Sequence, residues 1–191
     1  MGMLCFPRAT HLAHYLLQTA TVPGAVAEFG CHQGRTAAFM TALTKKHVYV
    51  YDSFAGLPPP SEHDRPSEVF HEGAMAISPQ ELVDLFKRLG LRTPIIEPGF
   101  FKDLQPHQLP KEIAFAHLDG DFYESIAGPL YVVWPRLSPG GYIVVDDWDW
   151  DQLPGVTDAV KAWSKDIGIK PEVQYGTDGA GCHQAVLHKP S

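Results

Sequence analysis

The sequence predicts an α/β fold, in which short buried strands alternate with helices. Several short apolar runs end in Gly or Asp, and the segments between these runs have helical patterning. The chain has 191 residues, of which 45% are hydrophobic and 19% charged. That size and composition are typical of one globular core, so we predict a single domain over residues 1–191.

The N-terminal part is predicted to form a helix, a strand, a second helix and a second strand. Thr10 is a suitable N-cap, and Leu12, Tyr15 and Leu16 after it share one helical face that we expect to be buried, so the first helix is expected over Thr10–Thr19. Apolar runs then predict strands at Ala25–Phe29 and Val48–Tyr51. The helix between these strands is expected to start near Gly34.

A long polar, proline-rich stretch at residues 56–76 follows the second strand. Segments of that length without regular structure are usually lids or binding loops, so we expect this one to cover a ligand. Ser78 and Glu81 are spaced as a capping box at the start of the next helix, and Gly90 ends it. The expected buried face of this helix consists of Leu82, Leu85, Phe86 and Leu89.

The second half continues the alternation of strands and helices. In chain order we expect strands or helices at Pro94–Glu97 (strand), Ile113–Leu118 (strand), Tyr123–Leu137 (helix), Tyr142–Val145 (strand) and Val156–Asp166 (helix). Residues 138–141, Ser-Pro-Gly-Gly, are expected to form a turn before the third of these strands. Two final runs, Glu172–Tyr175 and His183–His188, are expected to form a terminal hairpin.

Charge and composition argue against several classes of partner. A formal net charge of -7 disfavours nucleic acid, because such binding needs Lys and Arg to neutralise phosphates. The sequence has no long uncharged apolar run of the kind that spans a membrane, and its N-terminus lacks the pattern of a secretory signal, so we expect a cytoplasmic location. The three cysteines, an odd number at wide spacings, are expected to be reduced. A small-molecule ligand is therefore favoured.

A glycine motif, ExGxxxG, spans Glu28 to Gly34 at the end of the first predicted strand. Ligands bind outside the carboxyl ends of such strands, where glycines let the backbone approach them, although a tight turn explains a glycine pair equally well. Asp52 ends the second strand 18 residues after Gly34, where an acidic side chain can accept hydrogen bonds from a ribose. Because His32 stands where the dinucleotide pattern GxGxxG has its second glycine, S-adenosylmethionine is favoured over NAD.

Two acidic pairs follow adjacent strands of the predicted sheet. Asp119 and Asp121 end the fourth strand, and Asp146 and Asp147 end the fifth. A single aspartate at a strand end is usually a cap or a solvated turn, but four carboxylates in one cleft would repel strongly without a divalent cation. The sequence therefore predicts a Mg²⁺ site.

This combination of sites favours O-methylation. A divalent cation makes a hydroxyl easier to deprotonate and holds it in line with the methyl of the sulfonium. We expect Asp119 to bind the metal and to accept the proton, and Asp121 to orient backbone or cofactor. Of the ten histidines, His32 lies in the glycine loop and His117 is expected in a core strand. Trp148 and Trp150 either pack as an aromatic edge under a loop, or one of them lines the acceptor pocket.

Five segments in this order carry a resemblance to a known family: AEFGCHQG, YDSFAGLPPPS, PGFFKD, HLDGDFYES and LSPGGYIVVDDW. The chain resembles the macrocin O-methyltransferase (TylF-like) family of metal-dependent sugar O-methyltransferases across residues 27–148. Members that methylate antibiotic sugars have a longer N-terminal region that helps bind the acceptor and a partner subunit, whereas about two dozen residues precede the first strand here.

The resemblance implies a Rossmann-like class I methyltransferase fold, with a seven-stranded, mostly parallel sheet, helices on both faces and a C-terminal antiparallel hairpin. It implies Mg²⁺ bound by Asp119, Asp146 and Asp147, and Asp119 as the catalytic residue. The acceptor it implies is a hydroxyl of a small molecule, a sugar or glycosylated natural product, and it allows a homodimer. The expected S-adenosylmethionine site consists of Glu28, Gly30, Cys31, His32, Gly34, Asp52, Ser53, Phe54, Phe100 and Asp121.

Two other functions remain open at this point. A haloacid-dehalogenase-like, Mg²⁺-dependent phosphohydrolase also has an Asp-Gly-Asp after an apolar strand, but its nucleophile should follow the first strand, and the glycine motif would have no role. A non-catalytic module that binds S-adenosylmethionine is the other alternative, although loss of the metal aspartates would mark such a module and all of them are present.

Overall fold

The computed structural model describes residues 6–175 and 183–191, and in this part of the chain one seven-stranded sheet forms the centre. Its strands are β1 (Ala25–Phe29), β2 (Val48–Asp52), β3 (Ile95–Pro98), β4 (Ile113–Leu118), β5 (Leu137–Trp148), β6 (Glu172–Tyr175) and β7 (His183–His188). The strand order is β3-β2-β1-β4-β5-β7-β6. Strands β1 to β5 pair in parallel, and β7 is antiparallel to both β5 and β6, which confirms the predicted sheet.

The helices cover both faces of this sheet. They are α1 (Phe6–Gln18), α2 (Arg35–Leu43), α3 (Pro79–Leu89), α4 (Tyr123–Val133) and α5 (Pro154–Ile167). Neighbouring residues of a strand point to opposite faces, so Val26 packs with α1, α2 and α3, whereas Ala27 packs with α4 and α5. Because β1, β2, β4 and β5 run in parallel, their carboxyl ends lie together at one edge of the sheet.

The start predicted for the first helix was wrong. Helix α1 begins at Phe6, so Thr10 lies inside it, and the Thr10 hydroxyl donates to the carbonyl of Phe6 at 2.8 Å instead of capping. A threonine hydroxyl inside a helix can donate to the carbonyl four residues earlier, so a threonine alone does not mark the start of a helix. The expected buried face of Leu12, Tyr15 and Leu16 is confirmed.

The turn predicted at residues 138–141 was also wrong, because these residues belong to β5. Leu137 pairs with Ile113, and Tyr142 pairs with Phe115, so five steps along β5 match two along β4. The extra residues form an irregular, bulged segment within the strand. The preceding helix is shorter than expected and ends at Val133.

The ends of α3 agree with the prediction. The Ser78 hydroxyl accepts from Glu81 N, and the Glu81 carboxylate accepts from Ser78 N at 2.7 Å, which completes the capping box. Gly90 ends the helix with a φ of +65°. Leu82 and Phe86 are buried, but Leu89 is 54% exposed because the last turn extends along an open groove beside α2.

Two further predictions concern cysteines and membranes. Cys31 is buried and free, whereas Cys5 and Cys182 lie outside the described residues. Among the residues that the structure describes, no helix combines the length and the apolar character needed to cross a bilayer.

Candidate active site

A cavity of about 330 Å³ opens at the carboxyl ends of the parallel strands. On one side lie the glycine loop after β1 and the segment after β2, and on the other lie the aspartates that follow β4 and those at the end of β5. Of the residues expected to bind the cofactor, Gly30, Cys31, His32, Asp52, Ser53, Phe100 and Asp121 line this cavity. Gly34 and Phe54 do not line it, since Gly34 is the N-cap of α2.

Gly30 brings the two sides of the cavity into contact. Its φ is +89°, and a Cβ at this position would lie 2.0 Å from the carbonyl oxygen of Asp119. The Asp119 N–H donates to the carbonyl of Phe29 at 2.8 Å in the same place. The backbone of the glycine loop therefore packs directly on the strand end that carries the first acidic pair.

Asp52 ties the glycine loop to the end of β2. Its Oδ2 accepts hydrogen bonds from the backbone N–H groups of Cys31 at 2.8 Å and His32 at 3.2 Å, and its Oδ1 accepts from Phe54 N at 2.8 Å. Each carboxylate oxygen has two acceptor sites, so capacity remains on Oδ1 for a hydroxyl in the cavity. This carboxylate both shapes the loop and faces the ligand space.

Glu28 lies beneath the cavity and does not line it. The side chain is fully buried, and its Oε1 is 3.3 Å from Nδ1 of His117. Burial raises the pKa of Glu28, and the contact with His117 opposes that shift. Its Oε2 has no hydrogen-bond partner in the described part of the chain. Glu28 thus reaches the site only through the polar side chains packed around it.

Four carboxylates converge on the other side of the cavity. Asp121, Asp146 and Asp147 are buried and Asp119 is half-buried. Possible metal-ligand atoms lie within 4.8 Å of one another in two groups that share Asp119: one with Asp121 and Asp147, the other with His117 and Asp146. Asp121 and Asp147 have φ values of +63° and +56°, backbone conformations rare outside glycine that are common at functional sites.

The pKa values of these groups follow from burial and mutual repulsion. Burial and the charges of Asp146 and Asp147 raise the pKa of Asp119 well above its usual value. Burial and the neighbouring Asp146 raise the pKa of Asp147 to about 6. Burial also acts on Asp146, but contacts with His117 and Arg8 outweigh it and lower its pKa.

Arg8 is a member of the site that sequence reasoning missed. From the first turn of α1, its Nη1 lies 3.1 Å from Asp146 Oδ2 and its Nη2 lies 2.6 Å from Asp147 Oδ1. The side chain is 11% exposed and lines the cavity. Some 138 residues separate the partners, and no motif surrounds Arg8, so the sequence contains no signal for this contact.

His117 and Gln184 hold Asp146 from the core side. The Gln184 amide donates to Asp146 Oδ1 at 3.1 Å, and Nε2 of His117 lies 3.8 Å from Asp146 Oδ2. Burial opposes the charged form of His117, yet Asp146 and Glu28 raise its pKa to about 10. The prediction that His117 lies in a core strand is confirmed, and its place between two buried carboxylates is an addition to it.

Residues 56–76 form an apolar wall of the cavity. Leu57, Phe70 and Met75 line it, and the ring of Phe70 meets that of Trp150 edge-to-face at 5.6 Å. Asp64 anchors the segment, because its Oδ1 accepts a hydrogen bond from the first N–H of α4 at 2.8 Å. Of the two tryptophans near the end of β5, Trp150 lines the cavity, whereas Trp148, the last residue of the strand, is buried.

Comparisons with known proteins agree with this architecture. Among curated proteins, the chain is 35% identical over 173 residues to 8-demethyl-8-(2,3-dimethoxy-alpha-L-rhamnosyl)-tetracenomycin-C 4'-O-methyltransferase of Streptomyces olivaceus, covering 84% of the chain and 65% of that protein. It is 32% identical to mycinamicin III 3''-O-methyltransferase of Micromonospora griseorubida, covering 80% and 65% respectively. The chain thus spans about two thirds of the length of these relatives.

Solved structures give the same result for the fold. The O-methyltransferase NovP superposes with a TM-score of 0.83 at 26% identity, covering 100% of this chain and 82% of that one. The calicheamicin methyltransferase CalS11 superposes with a TM-score of 0.78 at 22% identity, covering 97% and 80%. The fold is that of the class I methyltransferases. The family model of macrocin-O-methyltransferase (TylF) matches residues 3–182, and the chain belongs to this family.

Proposed function

We propose that this chain is an S-adenosylmethionine-dependent, Mg²⁺-dependent O-methyltransferase that acts on a hydroxyl of a small molecule, a sugar or glycosylated natural product. The observation that carries the proposal is that the glycine loop and Asp52 line the same cavity as the carboxylates of Asp119 and Asp147. The named activities of the relatives, all O-methyltransferases, support the same reaction.

The glycine loop and the end of β2 fit the cofactor. The backbone at Gly30 can approach a ligand closely, and Asp52 retains acceptor capacity for a ribose hydroxyl. Phe100 and Asp121 complete that part of the cavity wall. When bound, the cofactor supplies an electrophilic methyl group on its sulfonium.

The acidic cluster fits a divalent cation. Its carboxylate oxygens are hard ligands, and within residues 6–175 and 183–191 the four carboxylates face only Arg8 and His117 as cationic partners, so negative charge remains uncompensated there. We assign Mg²⁺ to Asp119, Asp146 and Asp147. When bound, it lowers the pKa of an acceptor hydroxyl and holds that hydroxyl in place.

Side chains of the protein orient the acceptor and accept its proton. Asp119 is the least buried of the four carboxylates, so it is the one placed to receive a proton from a hydroxyl in the cavity. The apolar wall of Leu57, Phe70 and Met75, together with the neighbouring ring of Trp150, suits the carbon skeleton of a glycosylated acceptor. We also propose that residues 56–76 cover the bound acceptor and exclude water.

Three wider expectations accompany this function and stay predictions. Residues 1–191 form one methyltransferase domain, the protein works in the cytoplasm, and a homodimer is compatible with its activity. The similarity to O-methyltransferases counts against a phosphohydrolase.

The proposal is tested by methyl transfer from labelled S-adenosylmethionine to a panel of sugar nucleotides and glycosylated aromatic or macrolide acceptors. We expect Asp119→Asn to lower kcat by at least about 100-fold. Asp151→Asn is the matched control, because this exposed aspartate follows Asp147 in the sequence but lies outside the cavity lining. Unchanged turnover in Asp119→Asn would remove the catalytic assignment. Cofactor binding without transfer to any acceptor would favour the non-catalytic module, and phosphate release from a phosphorylated acceptor would favour the phosphohydrolase.

A further inference from the structure

The guanidinium of Arg8 forms ion pairs with two of the three carboxylates that we assign to the metal. It contacts Asp146 through Nη1 at 3.1 Å and Asp147 through Nη2 at 2.6 Å. Arginine does not lose its proton in proteins, so this is a permanent positive charge within the acidic cluster. Any cation that binds the same oxygen atoms must lie close to it.

The distances make simultaneous occupancy unfavourable. A Mg²⁺ ion binds carboxylate oxygens at about 2.1 Å, so an ion on Asp147 Oδ1 would lie within about 5 Å of Arg8 Nη2. Two cations at that separation in a buried site repel strongly. The carboxylates therefore bind either Arg8 or the metal, and binding of both cations at once is disfavoured.

The contact also differs from a fully satisfied structural ion pair. Arg8 Nε is buried and has no hydrogen-bond partner in the part of the chain that the structure describes. A buried donor without a partner costs free energy. Breaking this ion pair therefore costs less free energy than breaking one in which every guanidinium donor is bonded.

The surrounding helix allows Arg8 to move. Phe6, in the same first turn of α1, is 85% exposed and does not anchor that turn. One and two turns later, Leu12 and Leu16 are buried and hold the rest of the helix on the sheet. The first turn can therefore move away without loss of the core contacts.

We propose that Arg8 is a built-in competitor for the metal: it neutralises Asp146 and Asp147 until a divalent cation displaces it, and metal binding thereby releases the first turn of α1 from the cavity. This inference rests on the metal site of the proposed function. It gives Arg8 a role in setting metal affinity and access to the cavity, separate from the chemical step.

Calorimetric titration with Mn²⁺ tests the competition without any need for activity. We expect Arg8→Met to bind Mn²⁺ at least about tenfold more tightly than the unmodified protein, and Arg8→Lys to fall between the two. Arg136→Met is the matched control, because it removes the same charge from a half-buried arginine that donates to the carbonyl of Val132. Its Mn²⁺ affinity should stay within about twofold of the unmodified protein.

The outcomes separate this inference from the proposed function. Equal Mn²⁺ affinity in Arg8→Met and the unmodified protein, with binding in both, overturns the competition and leaves the metal site intact. Binding in neither protein overturns the metal site together with the competition. If Arg8→Met does not fold, the Mn²⁺ affinity of Arg8→Lys is compared with that of the unmodified protein instead.

A second readout follows the helix itself. Release of the first turn removes the carbonyls of residues 6–8, which are the helical acceptors for the amides of residues 10–12. Hydrogen exchange of these three amides should become faster when Mn²⁺ binds the unmodified protein, whereas the amides of residues 15–18 should stay protected. Unchanged or slower exchange at residues 10–12 in the Mn²⁺-bound protein contradicts the release of the first turn.

Discussion

Replacing Gly30 with alanine tests whether the cofactor loop and the acidic cluster are held together by direct backbone contact. An added Cβ would lie 2.0 Å from the carbonyl oxygen of Asp119, and real Cβ contacts below 3.0 Å essentially do not occur. The ends of β1 and β4 must therefore separate by about 1 Å, the difference between these distances. That shift stretches the 2.8 Å hydrogen bond from Asp119 N to Phe29 O beyond bonding distance.

The magnitude follows from two contributions. The left-handed backbone at Gly30 costs alanine about 1 kcal/mol. The overlap and the lost hydrogen bond add roughly 2 kcal/mol, for a total of about 3 kcal/mol. Gly90→Ala is the matched control, since Gly90 also has a positive φ but has open space around its missing Cβ, so only the first cost of about 1 kcal/mol applies.

The assay is urea unfolding followed by circular dichroism, with calorimetric titration of S-adenosylhomocysteine on the folded proteins. We expect Gly30→Ala to lose the larger stability and to bind the nucleoside at least about tenfold more weakly, while Gly90→Ala keeps its affinity. Equal losses of stability in the two variants, with unchanged affinity in both, would refute the direct contact.

Two further predictions concern capping and the wall of the cavity. Ser78→Ala removes the capping box of α3 and should cost about 1 kcal/mol in urea unfolding at neutral pH. Bonds from the N–H and the hydroxyl of Ser78 lower the pKa of Glu81 in the folded state, so the part of the box that the carboxylate contributes is present above the usual carboxyl pKa of 4.5 and is lost as the pH falls through the lower folded value. Ser78→Ala removes only the bond from the hydroxyl to this carboxylate, so its cost should become smaller at low pH without vanishing, and a cost that does not change with pH would contradict that bond. Asp64→Ala leaves the N–H of Tyr123 without its acceptor and should cost about 1–2 kcal/mol, with faster proteolysis within residues 56–76; unchanged proteolysis would show that Asp64 does not anchor this segment.

Much of the sheet was predictable because buried parallel strands are continuous apolar runs. The bounds of β1 and β4 agree with the runs that end at Phe29 and Leu118. The aspartates after β4 and those at the end of β5 could be placed together from topology alone, since the carboxyl ends of adjacent parallel strands share one edge. The resemblance to the family supplied the rest of the fold.

What could not be predicted depends on tertiary contacts. Arg8 reaches Asp146 from the other end of the chain, and no local pattern encodes that distance. Glu28 is part of the expected motif, yet its side chain points beneath the cavity toward His117, a direction that strand periodicity and motif position did not resolve. The bulge in β5 absorbs a Ser-Pro-Gly-Gly segment that ordinarily signals a turn, because the backbone of β4 still pairs on both sides of it.

The most direct test of the central claim is a calorimetric titration of the full chain with S-adenosylmethionine, in the presence and absence of Mg²⁺. The account predicts one binding site per chain, and an affinity that falls at least about tenfold in Asp52→Asn, because this carboxylate both shapes the glycine loop and faces the ligand. Absence of binding under both conditions, or an affinity that Asp52→Asn leaves unchanged, would contradict a cofactor site at the ends of β1 and β2.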